Sequence, residues 1–155
     1  MGLRMVEAAD AAVVAGWAGT ADECRRWCSR DEVTAETVTG WAAEPDVTAY
    51  LLVEGDETVA YGELWLDEEE GEAELARLIV APAHRGRGLG RRLVSELTAR
   101  ARDHHPEVFM RVHPDNTAAL RCYTGAGYQH VPQELADEWN RVQPVPYVWL
   151  RAPQG

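Results

Sequence analysis

The chain has 155 residues, with 26 aspartates and glutamates against 15 lysines and arginines, which gives a formal net charge of −11 at pH 7. This length predicts one domain, residues 1–155, with a core of its own, and the negative charge disfavours nucleic acid as a partner. The three cysteines have no second pair or histidine at metal-ligand spacing, so neither a disulfide framework nor a metal is expected.

No segment of the sequence predicts targeting or a membrane span. The first residues lack the apolar core of a signal peptide, and no apolar run approaches the length of a transmembrane helix. We therefore expect a cytoplasmic protein with no membrane partner.

The N-terminal third predicts one short strand followed by helices. From apolar spacing, the elements are a strand at 3–6 and helices at 8–18, from about 20 to 28, and at 35–43. Residues 29–32 have the spacing of a capping box for the last helix. Three tryptophans fall in this region; we interpret most of them as core residues, with an aromatic pocket wall as the alternative: Trp17, Trp27 and Trp41.

The middle of the chain predicts three antiparallel strands joined by two turns. The strands are expected at 48–54, 58–66 and 72–80. Gly55-Asp56 forms the first turn, and the acidic run Asp67–Gly71 forms the second. We interpret the acidic run as a solvated hairpin tip rather than as a binding site for a cationic partner.

Helices and strands are mixed in the C-terminal half. The expected elements are a helix to about 103, a strand at 107–113, a short helix to 123, a strand at 128–131, a loop or helical turn at 134–141 and a strand at 145–150. This order predicts an α/β fold of the mixed α+β kind, in which a twisted, mostly antiparallel sheet of about seven strands has helices on both faces.

The most informative stretch joins the strand at 72–80 to the helix after it. Glycines at 86, 88 and 90 allow positive φ angles and a close approach of the backbone to a ligand. Arginines at 85, 87, 91 and 92 bring positive charge to the start of the helix, where it opposes the helix dipole unless an anion binds. The spacing fits neither the Rossmann nor the P-loop motif, so we expect another phosphate-bearing ligand.

Two motifs of the sequence resemble the GNAT superfamily of N-acyltransferases. The turn Arg85-Gly86-Arg87-Gly88-Leu89-Gly90 resembles its acyl-CoA motif, Arg/Gln-x-x-Gly-x-Gly/Ala. The segment from Asn116 to Tyr128 resembles its Asn-x-x-Ala-x-x-x-Tyr-x-x-x-Gly-Phe/Tyr signature. Together the motifs cover the C-terminal half, whereas the N-terminal half matches only in its layout.

The resemblance implies the GNAT fold, in which the fourth and fifth strands splay apart and leave a cleft for acetyl-CoA. Backbone N–H groups of the glycine turn would bind the pyrophosphate. The strand before the turn would pair with the pantetheine amides and could polarise the thioester oxygen. The cofactor-binding residues implied are Leu78, Ile79, Val80, Arg85, Gly86, Arg87, Gly88, Leu89, Gly90, Arg91, Asn116 and Tyr123.

The resemblance also implies two proton transfers at the reacting groups. Glu74, four residues before Leu78, is the candidate general base, with Glu63, Glu72 or a water as alternatives. Tyr123 matches the family's general acid, which protonates the departing coenzyme A thiolate.

We therefore expect an acetyltransferase that moves the acetyl group of acetyl-CoA directly to a primary amine, with no covalent enzyme intermediate. The acidic composition favours a small cationic amine, such as an amino sugar or a polyamine, while the motifs also resemble members that act on protein N-termini or lysines. A non-catalytic acyl-CoA-binding or sensing domain is the alternative of another class. A homodimer formed through the β-rich C-terminus is left open.

Overall fold

The structure, a computed structural model, describes residues 1–154; Gly155, the last residue of the predicted domain, lies outside the described residues. Its strands are β1 (Gly2–Met5), β2 (Val47–Glu54), β3 (Glu57–Asp67), β4 (Glu72–Val80), β5 (Glu107–Val112), β6 (Gln129–His130) and β7 (Val148–Arg151). Its α-helices are α1 (Ala11–Ala15), α2 (Ala21–Cys28), α3 (Ala35–Ala42), α4 (Leu89–Arg102), α5 (Thr117–Gly125) and α6 (Gln133–Asn140).

The strands form one seven-stranded sheet in the order β1-β2-β3-β4-β5-β7-β6. Neighbouring strands are antiparallel except β4 and β5, which run parallel. The predicted mixed fold with a mostly antiparallel sheet of about seven strands is therefore confirmed.

β4 and β5 separate half-way along β4. Their pairing runs from Glu72 opposite Glu107 to Leu75 opposite Met110 and then stops, although β4 continues to Val80. On the side facing β5, the edge of β4 is therefore unpaired over residues 76–80. This opening lies next to the glycine turn, as the resemblance implied.

A bulge in β4 accompanies the opening. Tyr61 and Glu63, two residues apart in β3, pair with residues three apart in β4. Arg77 absorbs the extra residue in a left-handed conformation with φ +53°, a conformation that costs a residue with a side chain about 1–2 kcal/mol. The Arg77 carbonyl oxygen accepts a hydrogen bond from Trp27 Nε1 at 2.8 Å, which fixes α2 against the bulge.

Two of the three hydrophobic clusters of residues 1–154 hold helices against opposite faces of the sheet. On one face, the apolar stripe of α4 is buried against the strands: Leu89, Leu93, Val94, Leu97 and Ala101. On the other, α1 and α3 contribute Val14, Val38 and Trp41, which pack with Leu51 and Tyr61. Burying each such Leu or Val side chain stabilises the fold by about 1.5–3 kcal/mol, so both helical layers hold the sheet and its opening in place.

The N-terminal helices differ in their bounds from the prediction. The helix expected at 8–18 is a short 3₁₀ turn followed by α1, which Gly16 ends. The helix α3 begins at a capping box on Thr34, not at 29–32. The reason is that Ser29, with φ +61°, takes a left-handed conformation and ends α2.

The three N-terminal tryptophans divide between core and opening. Trp17 and Trp41 are only 7% and 5% exposed, so the core interpretation is confirmed for both. Trp27 packs edge-on against Trp41, with 5.4 Å between ring centroids, and its indole also lines the opening.

The C-terminal elements also differ from the prediction. Most of the segment 134–141, expected as a loop or helical turn, belongs to a helix of two turns, α6, which ends at Asn140 and whose Ala136 is buried. The last strand starts at Val148 rather than at 145. Pro144 and Pro146 explain the delay, because proline has no N–H to donate to a neighbouring strand.

Candidate active site

A cleft of about 550 Å³ occupies the opening between β4 and β5. The glycine turn and the start of α4 line one side, and α5 lines another. The structure brings together nearly all residues predicted to bind the cofactor: Leu78, Ile79, Val80, Arg85, Gly86, Gly88, Leu89, Gly90, Arg91, Asn116 and Tyr123. Arg87 is the exception.

The glycine turn presents backbone donors to the cleft. Gly86 and Gly88 take left-handed conformations, with φ of +79° and +78°, and Gly88 is the N-cap of α4. A glycine cap offers no side-chain acceptor, so the N–H groups of residues 89–91, which have no partner within the helix, are free for a ligand. Together with the positive end of the helix dipole, they suit an anionic group such as a pyrophosphate.

Glycine at position 90 allows α4 and α5 to approach each other. A Cβ atom placed on Gly90 would lie 2.9 Å from Cys122 Sγ, closer than real side chains pack. Burial raises the pKa of the Cys122 thiol, which disfavours a thiolate nucleophile, so this side chain is interpreted as a packing residue.

Two of the predicted arginines stabilise the turn itself. Arg85 donates to two backbone carbonyl oxygens, those of Val80 at 3.1 Å and Trp17 at 3.2 Å. Arg87 donates to Glu54 at 3.1 Å. This pairing draws the Arg87 side chain away from the cleft lining, so a contact from Arg87 to the cofactor stays a prediction.

Three other arginines line the cleft. For Arg26, Arg91 and Arg121, no carboxylate oxygen of residues 1–154 lies within 4.0 Å. Their positive charges are therefore available to phosphate groups. Sequence reasoning missed Arg26 and Arg121, because nothing in the spacing of α2 or α5 marks which arginine faces the cleft.

A smaller chamber of about 120 Å³ adjoins the cleft. Leu78, Asn116 and Tyr123 line both spaces, so a ligand in the chamber would lie beside one in the cleft. Across the chamber, Ser29 Oγ lies 2.5 Å from Tyr147 Oη, which joins the end of α2 to the segment before β7.

Tyr123 and Asn116 occupy the junction of cleft and chamber. Burial raises the pKa of Tyr123 above its usual value, so its hydroxyl stays protonated at neutral pH and is able to donate a proton. Asn116 caps α5, as predicted, by accepting the Ala119 N–H at 3.2 Å. Its amide also donates to the Arg26 carbonyl oxygen at 3.5 Å, which ties α5 to α2.

Of the three candidate bases, Glu74 is the one that lines the chamber within residues 1–154. Both of its carboxylate oxygens accept hydrogen bonds from Arg111, at 2.7 and 2.9 Å. The Arg111 guanidinium also lies over the ring of Trp149, 4.7 Å from its centroid. The pair therefore forms a fixed wall of the chamber.

Glu63 is fully buried and lines neither space. Its carboxylate accepts hydrogen bonds from Tyr61, Trp65 and Arg77. Burial raises its pKa against the opposing effect of Arg77. Through these hydrogen bonds, Glu63 joins β3 to the β4 bulge. Because it lines neither the cleft nor the chamber, Glu63 is a poor candidate for the base.

Glu72 lines a third space, which we call the groove. The groove measures about 490 Å³ and lies where β3, β4, β5 and β7 meet the end of α6. The pKa of Glu72 is raised by burial and by the nearby Glu70, Asp67 and Glu107. Since Glu72 lines neither the cleft nor the chamber, it is also a poor candidate for the base.

Comparison with protein families decides the identity of the fold. The model of the acetyltransferase (GNAT) family matches residues 15–128, a span that holds the bulge, the glycine turn and α5. The chain belongs to the GNAT family.

Two curated GNAT relatives match part of the chain. N-alpha-acetyltransferase RimI of Mycobacterium tuberculosis is 45% identical over 84 residues, which are 54% of this chain and 51% of the relative. Mycothiol acetyltransferase of Kineococcus radiotolerans is 31% identical over 129 residues, 83% of this chain and 41% of the relative. The chain thus spans about half or less of the length of these relatives.

Solved structures share the GNAT fold over nearly the whole chain. AAC(6')-Ib in complex with ribostamycin and coenzyme A superimposes with a TM-score of 0.77 at 19% identity, covering 99% of this chain and 93% of that one. The fold implied by the two motifs is therefore confirmed.

Among residues 1–154 of this GNAT chain, no group of three or more His, Cys, Asp or Glu side chains is placed to hold a metal ion. Within the same residues, no helix combines the length and apolar character of a membrane span.

Proposed function

We propose that this protein is an N-acetyltransferase that moves the acetyl group of acetyl-CoA to a primary amine by direct attack in a ternary complex. The observation that carries this proposal is the cleft and the adjoining chamber, with free backbone donors in the cleft and Tyr123 lining both spaces. Relatives of the family that are named as acetyltransferases support it.

Coenzyme A fits the cleft in one direction. The N–H groups of residues 89–91 and the backbone of the turn bind the pyrophosphate, and Arg26, Arg91 and Arg121 supply positive charge for the phosphates. The unpaired edge of β4 at residues 78–80 pairs with the amides of the pantetheine arm. The thioester then lies near Tyr123, at the entrance of the chamber.

The chemistry needs one base and one acid. A neutral amine attacks the thioester carbonyl, forming a C–N bond, and Glu74 accepts the proton that the amine loses, directly or through a water. A backbone N–H of the β4 edge stabilises the oxyanion. The C–S bond then breaks, and Tyr123 gives its proton to the coenzyme A sulfur.

The acceptor we propose is a small cationic amine, which the acidic composition attracts. The structure with ribostamycin bound, although only 19% identical, fits this choice. A protein N-terminus is the second candidate, and the 45% identity to an N-alpha-acetyltransferase over 84 residues favours it.

The test is release of coenzyme A thiol from acetyl-CoA with a panel of amino sugars, polyamines, amino acids and N-terminal or lysine peptides. We expect turnover with one class of amine, and the class names the acceptor. For Tyr123→Phe we expect much slower turnover with unchanged affinity for acetyl-CoA, measured by calorimetry. Binding of acetyl-CoA without turnover on any amine would contradict the proposed catalysis and favour a sensing domain.

A further inference from the structure

The chamber holds only the reacting end of an acceptor. Its volume is about 120 Å³, whereas pockets that enclose a whole small ligand measure about 300–1,000 Å³. The rest of a larger acceptor must therefore lie outside the chamber. The Ser29–Tyr147 hydrogen bond crosses one side of it, and the Glu74–Arg111 pair forms another.

The groove begins where the chamber ends. Trp65, Glu74 and Arg111 line both spaces and form the partition between them. At about 490 Å³, the groove is large enough for the part of an acceptor that the chamber excludes. An acceptor whose amine reaches the chamber along this partition would place its body in the groove.

The charges of the groove favour a cationic occupant. Asp67, Glu72 and Glu138 line it, and within residues 1–154 no nitrogen of Arg or His lies within 4.0 Å of their carboxylates. Asp67 and Glu107 are both cross-strand partners of Glu72. Like charges placed opposite each other destabilise a sheet, so an added positive charge relieves a repulsion that the fold retains.

The aromatic wall of the groove already binds cations. The Arg111 guanidinium lies 4.7 Å from the ring centroid of Trp149, and the Arg151 guanidinium lies 5.6 Å from that of Phe109. Trp139 lies in the same wall and meets Phe109 and Trp149 in edge-to-face contacts. Within residues 1–154 no guanidinium lies over the Trp139 ring, and tryptophan is the aromatic side chain that attracts ammonium groups most strongly.

We propose that the groove is a second acceptor subsite that binds an ammonium group, and that the acceptor is therefore an amine with at least two amino groups. This inference rests on the proposed acetyl transfer. It makes Asp67, the first residue of the acidic run 67–71 that the sequence analysis interprets as a solvated tip, part of the binding surface.

The fold sets a minimum distance between the two amino groups. Glu74, at the chamber, and Glu72, in the groove, lie two residues apart on the same face of β4, which is about 7 Å along a strand. This spacing favours diamines whose two nitrogens lie at least about this far apart.

The experiment compares propylamine and hexylamine with α,ω-diaminoalkanes from diaminoethane to diaminooctane. We expect kcat/KM to rise roughly tenfold over the matched monoamine once the chain exceeds diaminobutane, mainly through a lower KM. If monoamines are acetylated and no diamine of any length has a higher kcat/KM than its matched monoamine, the inference is overturned and the proposed function stands. Failure with every alkylamine and diamine would overturn the subsite, and failure that extends to the whole panel of amino sugars, polyamines, amino acids and peptides would overturn the proposed function as well.

Variants locate the effect in the groove. In Glu72→Gln and Glu138→Gln, we expect the diamine-to-monoamine ratio of kcat/KM to fall towards one. Glu69→Gln is the matched control, because Glu69 belongs to the same acidic turn and does not line the groove. An equal fall in all three variants would show a general effect of net charge and contradict a specific subsite.

A probe that cannot react gives a second readout. Hexamethonium carries two quaternary ammonium groups and has no N–H to be acetylated. We expect it to inhibit competitively against the amine, with inhibition weakened several-fold in Glu72→Gln. Lack of inhibition by hexamethonium would contradict the subsite. A dimer that persists in the presence of hexamethonium, measured by analytical ultracentrifugation, would also contradict it, because a second copy of the chain would then occupy the groove.

Discussion

The ion pair between Glu74 and Arg111 makes the proposed base a structural residue as well. The side chains are 15% and 26% exposed, and two hydrogen bonds join them. Removing one partner of a fully buried pair costs about 3–5 kcal/mol, and we expect about 2–3 kcal/mol for Arg111→Met because this pair is partly solvated. At about 2–4 °C per kcal/mol for a domain of this size, Tm falls by about 4–12 °C.

Glu74→Gln should cost less, about 1–2 kcal/mol. The amide oxygen of glutamine still accepts one hydrogen bond, and Arg111 keeps its hydrogen bond to Gln143 at 3.1 Å. In the double variant the unpaired charge is gone, so we expect a loss smaller than the sum of the single losses by about 1–2 kcal/mol. Urea unfolding of the four proteins measures this coupling.

The same four proteins also separate the effect of Glu74 on catalysis from its effect on stability. We expect the double variant to recover much of its stability but none of its turnover, because the base is still absent. Additive stability losses would refute the structural coupling, and undiminished turnover in Glu74→Gln would refute the role of Glu74 as base.

Three further predictions concern the turn and β4. Gly88→Ala should raise the Kd for acetyl-CoA at least severalfold while unfolding stays cooperative. The reason is that φ is +78° at this position, where alanine is strained by about 1–2 kcal/mol. The control is Gly40→Ala, which should leave that Kd unchanged because no atom lies within 4 Å of the new Cβ. Glu72→Gln should stabilise the fold at pH 7 by about 0.5–1 kcal/mol, measured by urea unfolding. Since the folded-state pKa of Glu72 is raised, this gain should vanish below about pH 4.5, where the carboxyl is protonated in both states; a gain that persists there would contradict the electrostatic cause.

Local patterns explain why the glycine turn and α4 were predictable from the sequence. Gly86 and Gly88 adopt positive φ values, which glycine does without the steric cost of a Cβ atom. The apolar residues of α4 recur every three or four positions. Both features are properties of consecutive residues. They need no knowledge of what lies across the sheet.

The environment of each candidate base depends on contacts that sequence spacing does not encode. In the sequence, nothing distinguishes the three strand glutamates at positions 63, 72 and 74. In the structure, Glu63 is buried in the core, Glu72 lines the groove and Glu74 lines the chamber. The partner of Glu74 is Arg111, 37 positions away on β5. The bulge at Arg77 was equally hidden, because a left-handed arginine is held by Trp27, 50 positions away.

The distribution of charge reconciles an acidic chain with an anionic cofactor. The cleft contains Arg26, Arg91 and Arg121, while Asp67, Glu72 and Glu138 line the groove. Leu78 lines the cleft and Glu72 lines the groove, and these two residues are about 20 Å apart along β4. This separation exceeds the electrostatic screening length of about 8 Å at physiological ionic strength. The two fields therefore act almost independently, so a polyanion and a polycation are each attracted to a different end of the site. Raising the salt concentration should weaken both attractions without exchanging their positions.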